Sequence, residues 1–346
     1  MDHLGIDLHK RDSQICWLKD TGEVVERRIR TTRERFVEVF GGQPRAQILL
    51  EASTESEWVA RCLEGLGHQV VVADPGYAPM YPRRGARQKN DRRDAQALAM
   101  ASRAGTYRAV HRVSPAQRAV RDVLTVRAQL VTSRTRVIAT VRAIVRGQGQ
   151  RVPSCSAEGV VGQVEALGLA EPLAGTLRPL LTVLSTLTAG IEASEAQLVT
   201  LTGDDRRVRA LQSVPSVGPI TAAAFVATVD DVGRFRDAAQ LTAYLGLVPR
   251  DRSSGEGHRS GRITKAGPAR MRWLLVQAAW RLLRTKAAGA QALRRWAEAL
   301  VARRGKGIAV VAVARRLARV LFALLRDDST FVPDHEARRQ AARAAA

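Results

Sequence analysis

His3-Leu4-Gly5-Ile6-Asp7-Leu8 is a short apolar run with one acid set into it. Ser13-Gln14-Ile15-Cys16-Trp17-Leu18 follows. After the turn signal Asp20-Thr21-Gly22 comes Glu23-Val24-Val25-Glu26. Three extended runs separated by turn residues predict an opening β-meander. Thr32 can cap a helix from Arg33 to Phe40, and Gln47-Ile48-Leu49-Leu50 predicts a buried strand ending at Glu51. A helix from Glu55 to Leu66 and a strand from Gln69 to Ala73 complete the pattern. Strands, helix, strand, helix, strand is an α/β order, and the meander makes the sheet mixed.

The acid in the first run matters because a carboxylate inside an apolar strand is costly to bury unless it is paired or bound to metal. Asp7 therefore reads as functional. Glu51 stands at the C-terminal end of a later strand, where ligands of open α/β sheets gather; a solvated strand end would look the same. Lys89-Asn90-Asp91-Arg92-Arg93-Asp94-Ala95 opens a helix-like run to Met100. Asp91 and Asp94, three residues apart, share a helix face. Lys89, Arg92 and Arg93 surround them as candidate nucleic-acid contacts. Taken alone, the stretch also fits a solvated helix start, where the helix dipole favours acids. Together, four carboxylates from two strands and a helix can surround two divalent ions about 3.5–4 Å apart, the arrangement that clamps the attacking and leaving oxygens of a displacement at phosphorus.

Composition points to the same class of partner. The chain has 346 residues, enough for two or three domains, and 45% hydrophobic residues, enough for real cores. Its formal net charge of +22 implies a polyanion. The basic residues run through most of the chain rather than forming one polybasic tail, which favours nucleic acid over a membrane surface. Cys16, Cys62 and Cys155 are far apart and odd in number, so neither a zinc site nor a disulfide framework is legible and a reducing compartment is expected. No signal peptide is read at the start. The apolar stretch from Ile308 to Leu325 is broken by Arg315, Arg316 and Arg319, so an amphipathic helix is expected there and no membrane span.

From Tyr81 to Arg146 the chain is densely basic. Ser114-Pro115 signals a helix start. The pairs Val123/Leu124, Leu130/Val131, Val137/Ile138 and Ile144/Val145 recur every seven residues, giving one apolar stripe with arginines on the other faces. Leu177, Leu180, Leu184, Leu187, Ile191, Leu198 and Leu201 form a second stripe with only Ser194 off pattern. A helical hairpin or coiled coil is predicted, with ordinary packing within one subunit as the plainer alternative. Gly147 to Pro172 reads as a linker. Val214-Pro215-Ser216-Val217-Gly218-Pro219 between helical runs has the pattern of a backbone-binding helix-hairpin-helix, with Gly218 a candidate phosphate contact. A helix is expected from Phe235 to Leu247. Pro249 to Arg262 reads as a polar, basic loop carrying Ser253-Ser254-Gly255 and the candidate phosphate contacts Arg250, Arg252, Arg259 and Arg262. Helices from Ala269 to Arg284, Gln291 to Arg303 and Ile308 to Leu325 follow, and the tail after Pro333 is expected to be disordered.

With these residues in view, the chain resembles the DEDD transposases of the insertion-sequence-110 family over almost its whole length. The resemblance rests on Gly5-Ile6-Asp7-Leu8-His9-Lys10, Leu50-Glu51-Ala52, Lys89 to Gln96, Pro215-Ser216-Val217-Gly218, Tyr244 to Pro249, Ser253-Ser254-Gly255 and Gly261 to Gly267. It implies an RNase H-like (RuvC-like) α/β domain over residues 1–112 and a helical coiled-coil region over 113–203. A mainly α transposase domain with a helix-hairpin-helix-like element would span 204–330, followed by a tail over 331–346. It implies that Asp7, Glu51, Asp91 and Asp94 bind magnesium or manganese and that Ser254 is a nucleophile, with adjacent Ser253 as the competing assignment. It further implies DNA ends and target as substrates, a structured noncoding guide RNA, assembly as dimers of dimers with catalytic domains meeting between subunits, no membrane, and a cytoplasmic, nucleoid-associated bacterial protein. The chain departs from the family pattern at Asn90, at Ser53-Thr54 after Glu51-Ala52, at Ser216 and at Pro268. The competing readings are a structure-selective nuclease using the RuvC-like half alone and a non-catalytic nucleic-acid-binding protein.

Overall fold

Alternation along the first strands decides which helix covers which side of the sheet. The structure, a computed structural model, describes residues 1–81, 90–254 and 257–333, with the side chains of residues 251–260 and 288 outside the description. Lys89, Arg83, Arg84, Arg87, Gly255 and the tail after Pro333 therefore lie outside the described residues, as do the side chains of Arg252, Ser253, Ser254, His258 and Arg259. The chain falls into two compact units, Met1–Arg112 and Val113–Ala346.

In the first unit, β1 (His3–Leu8), β2 (Asp12–Leu18) and β3 (Val24–Arg30) form the antiparallel meander. α1 (Arg33–Phe40) starts where Thr32 accepts a hydrogen bond from the Arg35 amide. Then come β4 (Gln47–Glu51), α2 (Ser56–Gly65) and β5 (Gln69–Ala73). β4 pairs parallel with both β1 and β5, so the sheet order is β3-β2-β1-β4-β5 and the sheet is mixed, as the sequence predicts. Leu4, Ile6, Leu8, Ile48 and Leu50 point to one face, against Phe36 and Phe40 of α1 and Val59 and Leu63 of α2. Each of those fully buried Phe side chains contributes about 2–3 kcal/mol of burial. On the other face lies α3 (Asp91–Ala104), with Leu98 and Ala101 on Leu49 and Ala73, and Ala95 and Ala99 on Cys16. The edge strand β3 is mostly charged and exposed, which discourages edge-to-edge pairing.

α3 can lie on the sheet because Gly5 has no side chain. A Cβ there would sit 2.2 Å from the Ala95 carbonyl oxygen and 2.3 Å from the Ala99 nitrogen. Helix backbone and strand backbone are in direct contact at this point.

The second unit begins with α4 (Pro115–Gly147), capped by the Ser114 hydroxyl, which in turn donates to Asp230. α5 (Val160–Glu165) and α6 (Leu173–Thr202) follow. α4 and α6 run antiparallel, with Arg127 opposite Glu195 and Arg134 opposite Thr188. Gly147 to Pro172, read as a linker, instead contains α5, whose Val160 and Val164 pack against Val141, Val145 and Leu177. Two apolar residues four apart in a Gly- and Ser-rich stretch give too short a pattern to register as a helix. Ser194, the off-pattern residue of the second stripe, is buried and donates to the Gly190 carbonyl one turn back.

α7 (Arg206–Gln212), a turn, and α8 (Pro219–Val229) supply the expected helix-turn-helix, with Ser216 in the left-handed region at φ 77°. α9 is shorter than expected, Ala238–Tyr244, because Asp237 caps it and the residues before it form only a single tight turn. Pro249 to Arg262 is a β-hairpin, β6 (Pro249–Ser254) and β7 (Gly257–Ile263), and not the loop its composition suggests. α10 (Ala269–Arg284), α11 (Gln291–Arg304) and α12 (Lys306–Arg326) close the unit around Leu275, Leu282, Leu317 and Phe322. Among the described residues no helix is long and apolar enough to cross a membrane.

Candidate functional site

Strand alternation puts Gly5 and Asp7 on the face of β1 that α3 covers, and Leu49 and Glu51 on the same face of β4. The parallel register pairs Ile6 with Leu50, so Asp7 and Glu51 end neighbouring strands. α3 delivers Asp91 and Asp94 in its first turn. Asn90 caps that helix, its side chain accepting from the Arg92 amide at 3.0 Å. Asparagine is a strong N-cap, so this departure from the family pattern leaves the helix start intact.

Asp7 is 8% exposed. Its carboxyl is held above the usual carboxylate range, first by burial, then by the charges of Asp94, Asp91 and Glu51, against an opposing pull from His9. All four acids of the sequence-based set thus lie close enough to act on one carboxyl. Asp7 Oδ2 is buried and has no hydrogen-bond partner. His9 Nε2 lies 3.2 Å from it, within ion-pair distance but off a hydrogen-bonding direction, and also 3.2 Å from Asp91 Oδ1. Asp7, His9 and Asp91 can bring one donor atom each within 4.8 Å of one another. An orphaned buried carboxylate oxygen facing further acids is what a divalent ion satisfies, so the residues fit a metal.

Three residues here escape a reading for acids. His9 bridges two of them; the spacing Asp-x-His at a strand end was the available signal. Tyr81, buried, donates its hydroxyl to Glu51. Gly5 sets how close α3 approaches.

Of the basic residues expected to flank the acids, Arg93 is exposed, but Arg92 pairs with Glu26 of β3, which also accepts from Gln96. Arg92 therefore fastens α3 to the sheet. Several arginines of the Tyr81 to Arg146 stretch are similarly committed. Arg108 pairs with Asp74, Arg112 with Glu57 and Glu64, and Arg121 donates to the Ala227 carbonyl at the end of α8. Arg134, 8% exposed, is 3.0 Å from Glu158, and Arg127 is 2.6 Å from Glu195. Clustered arginines look alike in sequence whether they meet phosphate or protein carboxylates.

In the second unit, Gly218 is the N-cap of α8, beside Arg281, and its turn leaves the helix start without a side-chain cap. Ser253 and Ser254 occupy the tip end of β6, where their backbones oppose His258 and Gly257. Arg262 is exposed, and Arg250 donates across the hairpin base to the Thr264 carbonyl at 3.1 Å. That base is built by two crossing segments. Gly246, at φ 66°, leaves no room for a Cβ, which would lie 2.3 Å from the Ala266 oxygen; one on Gly267 would lie 2.0 Å from the Tyr244 oxygen. Arg272 ties the crossing together through the Leu245, Ala266 and Gly267 carbonyls.

Comparison with known proteins follows these two regions. A family model described as a transposase, of the DEDD IS110 kind, matches residues 4–148, and a second, described as transposase IS116/IS110/IS902 family, matches residues 208–294. A probable family 20 transposase of Pseudomonas aeruginosa is 32% identical over 339 residues, covering 96% of this chain and 99% of its own length. The transposase for insertion sequence element IS1111A of Coxiella burnetii is 30% identical over 333 residues, 95% of this chain and 90% of its own. The transposase for insertion sequence element IS1328 of Yersinia enterocolitica is 26% identical over 335 residues, 95% and 98% respectively.

Proposed function

Because the chain belongs to the IS116/IS110/IS902 family of transposases, enzymes that transfer DNA strands with divalent metal ions, we propose that Asp7, Glu51, Asp91 and Asp94 are the carboxylates that hold those ions, magnesium or manganese. The observation that carries the reading is the buried Oδ2 of Asp7, without a hydrogen-bond partner, in a carboxyl raised by burial and by the other three acids. Bound divalent ions would polarise the scissile phosphate and offset charge on the attacking and leaving oxygens. The chain's own residues prepare the place for that chemistry. β1 and β4 hold Asp7 and Glu51 at adjacent strand ends, Asn90 and Arg92 fix the start of α3, and Tyr81 orients Glu51 through its hydroxyl.

Ser254 is the proposed nucleophile at phosphorus, on the strength of its family motif, and Arg250 and Arg262 are its nearest described cations in sequence. A serine hydroxyl needs such assistance to attack. A structured guide RNA beside DNA is proposed on the family resemblance; the net charge of +22 fits a polyanionic partner of either kind. Self-association as dimers of dimers is proposed on the family resemblance. The test of the metal reading is cleavage of an element-end DNA by Asp7→Asn, Glu51→Gln, Asp91→Asn and Asp94→Asn. Each is expected to lose about 10²-fold or more of the rate while keeping the wild-type fold by circular dichroism. Wild-type cleavage by Asp94→Asn, or by the native protein in excess chelator, would remove the four acids from the mechanism.

A further inference from the structure

The family's four acids do not account for His9, and its position asks for a role. Its backbone N–H donates to the Asp12 carbonyl at 3.2 Å, which fixes the residue at the turn from β1 to β2. Its imidazole then reaches back over the acids, with Nε2 equidistant, at 3.2 Å, from Asp7 Oδ2 and Asp91 Oδ1. We propose that His9 is a nitrogen ligand at the acidic site and biases that site toward manganese-type ions over magnesium; the inference rests on the reading of the four acids as a metal site.

Three observations support it. Donors in neighbouring positions around a six-coordinate ion with bonds near 2.1 Å are about 3.0 Å apart, so the two 3.2 Å separations match adjacent ligands of one ion. A histidine kept only to satisfy Asp7 would align its N–H with the buried oxygen, yet that oxygen has no hydrogen-bond partner. Finally, the three donor atoms converge within 4.8 Å, with the Asp7 side chain 11% exposed and those of His9 and Asp91 44% and 48% exposed. The site is therefore walled on one side and open on the other, as an ion that must meet substrate requires.

The chemical consequence is selectivity. Magnesium favours an all-oxygen shell that includes several waters. Imidazole nitrogen adds more affinity for first-row transition ions. One nitrogen among carboxylates should thus deepen manganese binding and leave magnesium almost indifferent.

The experiment uses the full chain with Mn²⁺ or Mg²⁺ alone as probe. Calorimetry gives the affinity of each ion, and pulsed electron paramagnetic resonance of the Mn²⁺ complex detects directly bound ¹⁴N. His9 is one of six histidines, so both His9→Ala and His9→Gln are compared with wild type. The expected result is a ¹⁴N signal in wild type that both variants lose. Mn²⁺ affinity should fall about tenfold or more and Mg²⁺ affinity by less than about threefold. Mn²⁺ bound without a ¹⁴N signal, a signal that survives in both variants, or equal weakening of the two ions would overturn the role of His9 while leaving the carboxylates in place. Asp7→Asn separates the two levels: if it binds Mn²⁺ as wild type does, the carboxylate reading falls, and His9 with it.

Discussion

Arg134 and Glu158 meet at 3.0 Å, with the Arg134 side chain only 10% exposed and a second nitrogen on the Thr188 hydroxyl. One arginine thereby joins α4, α6 and the segment before α5. Arg134→Ala is expected to lower stability by about 2 kcal/mol, since it strips a buried cation from its partners and leaves a gap between helices. It should not change how steeply nucleic-acid affinity falls with salt. Arg136 and Arg146, exposed on the same helix, should behave in the opposite way: each replacement by Ala lowers the log–log salt slope by about 0.7–0.9 and shifts stability by less than about 0.5 kcal/mol. Melting curves and salt titrations of RNA binding distinguish them, and a reduced slope for Arg134→Ala would return it to the binding surface.

Gly5→Ala tests the contact between β1 and α3. The new methyl would meet helix backbone at 2.2–2.3 Å, and backbone cannot rotate away as a side chain can. The expected cost is at least about 3 kcal/mol, or a helix lifted from the strand. In either case Asp91 and Asp94 move from Asp7 and metal binding is lost. A variant with native melting temperature and native Mn²⁺ affinity would show that the two backbones are further apart than 2.2 Å implies.

Asp7 gives the pH dependence. Its folded carboxyl holds its proton more tightly than the ordinary value of 3.8, because of burial and then its acidic neighbours. Between that value and the raised one the folded state binds more protons than the unfolded state. In chelator, stability therefore declines as pH rises through this window and is fully penalised above it. Asp7→Asn removes the penalty: in chelator at pH 7 it should melt above wild type, and the two curves should converge at acid pH. Added divalent ion should stabilise wild type and not the variant. A variant that melts below wild type in chelator at every pH would contradict this.

Ser254→Ala should abolish a covalent DNA–protein adduct, seen as a slow band under denaturing conditions, and with it recombination. Binding of DNA and RNA should persist. Ser253→Ala should retain part of both activities. An adduct that depends on Ser253 in place of Ser254 would move the nucleophile by one residue. Recombination by wild type with no trappable adduct would favour attack by a water or DNA hydroxyl at the acids.

The first unit was legible because its two faces are written in alternation. Ile6 and Leu8 against Asp7, and Leu50 against Glu51, fix which side chains turn toward α3, and helix spacing pairs Asp91 with Asp94. What stayed hidden depends on partners distant in sequence. Nothing near Arg92 announces Glu26, and nothing near Arg134 announces Glu158. Polar, arginine-rich β6 and β7 lack the apolar alternation that marks a strand, so their pairing is not legible in composition; the close approach of Gly246 and Gly267 lies at the hairpin's base. His9 was visible as a residue, but its relation to Asp91 exists only once α3 has docked.

That docking sets the order in which the protein acquires its reactivity. Asp7 and Asp94 stand almost ninety positions apart in sequence, and the two meet only when α3 settles on Gly5. A fragment ending before α3 keeps Asp7 and Glu51 on neighbouring strands but lacks Asp91 and Asp94, and with them half of the proposed site. If the four acids hold the ions as proposed, such a fragment is not expected to cut DNA, and cleavage awaits a first unit folded through α3.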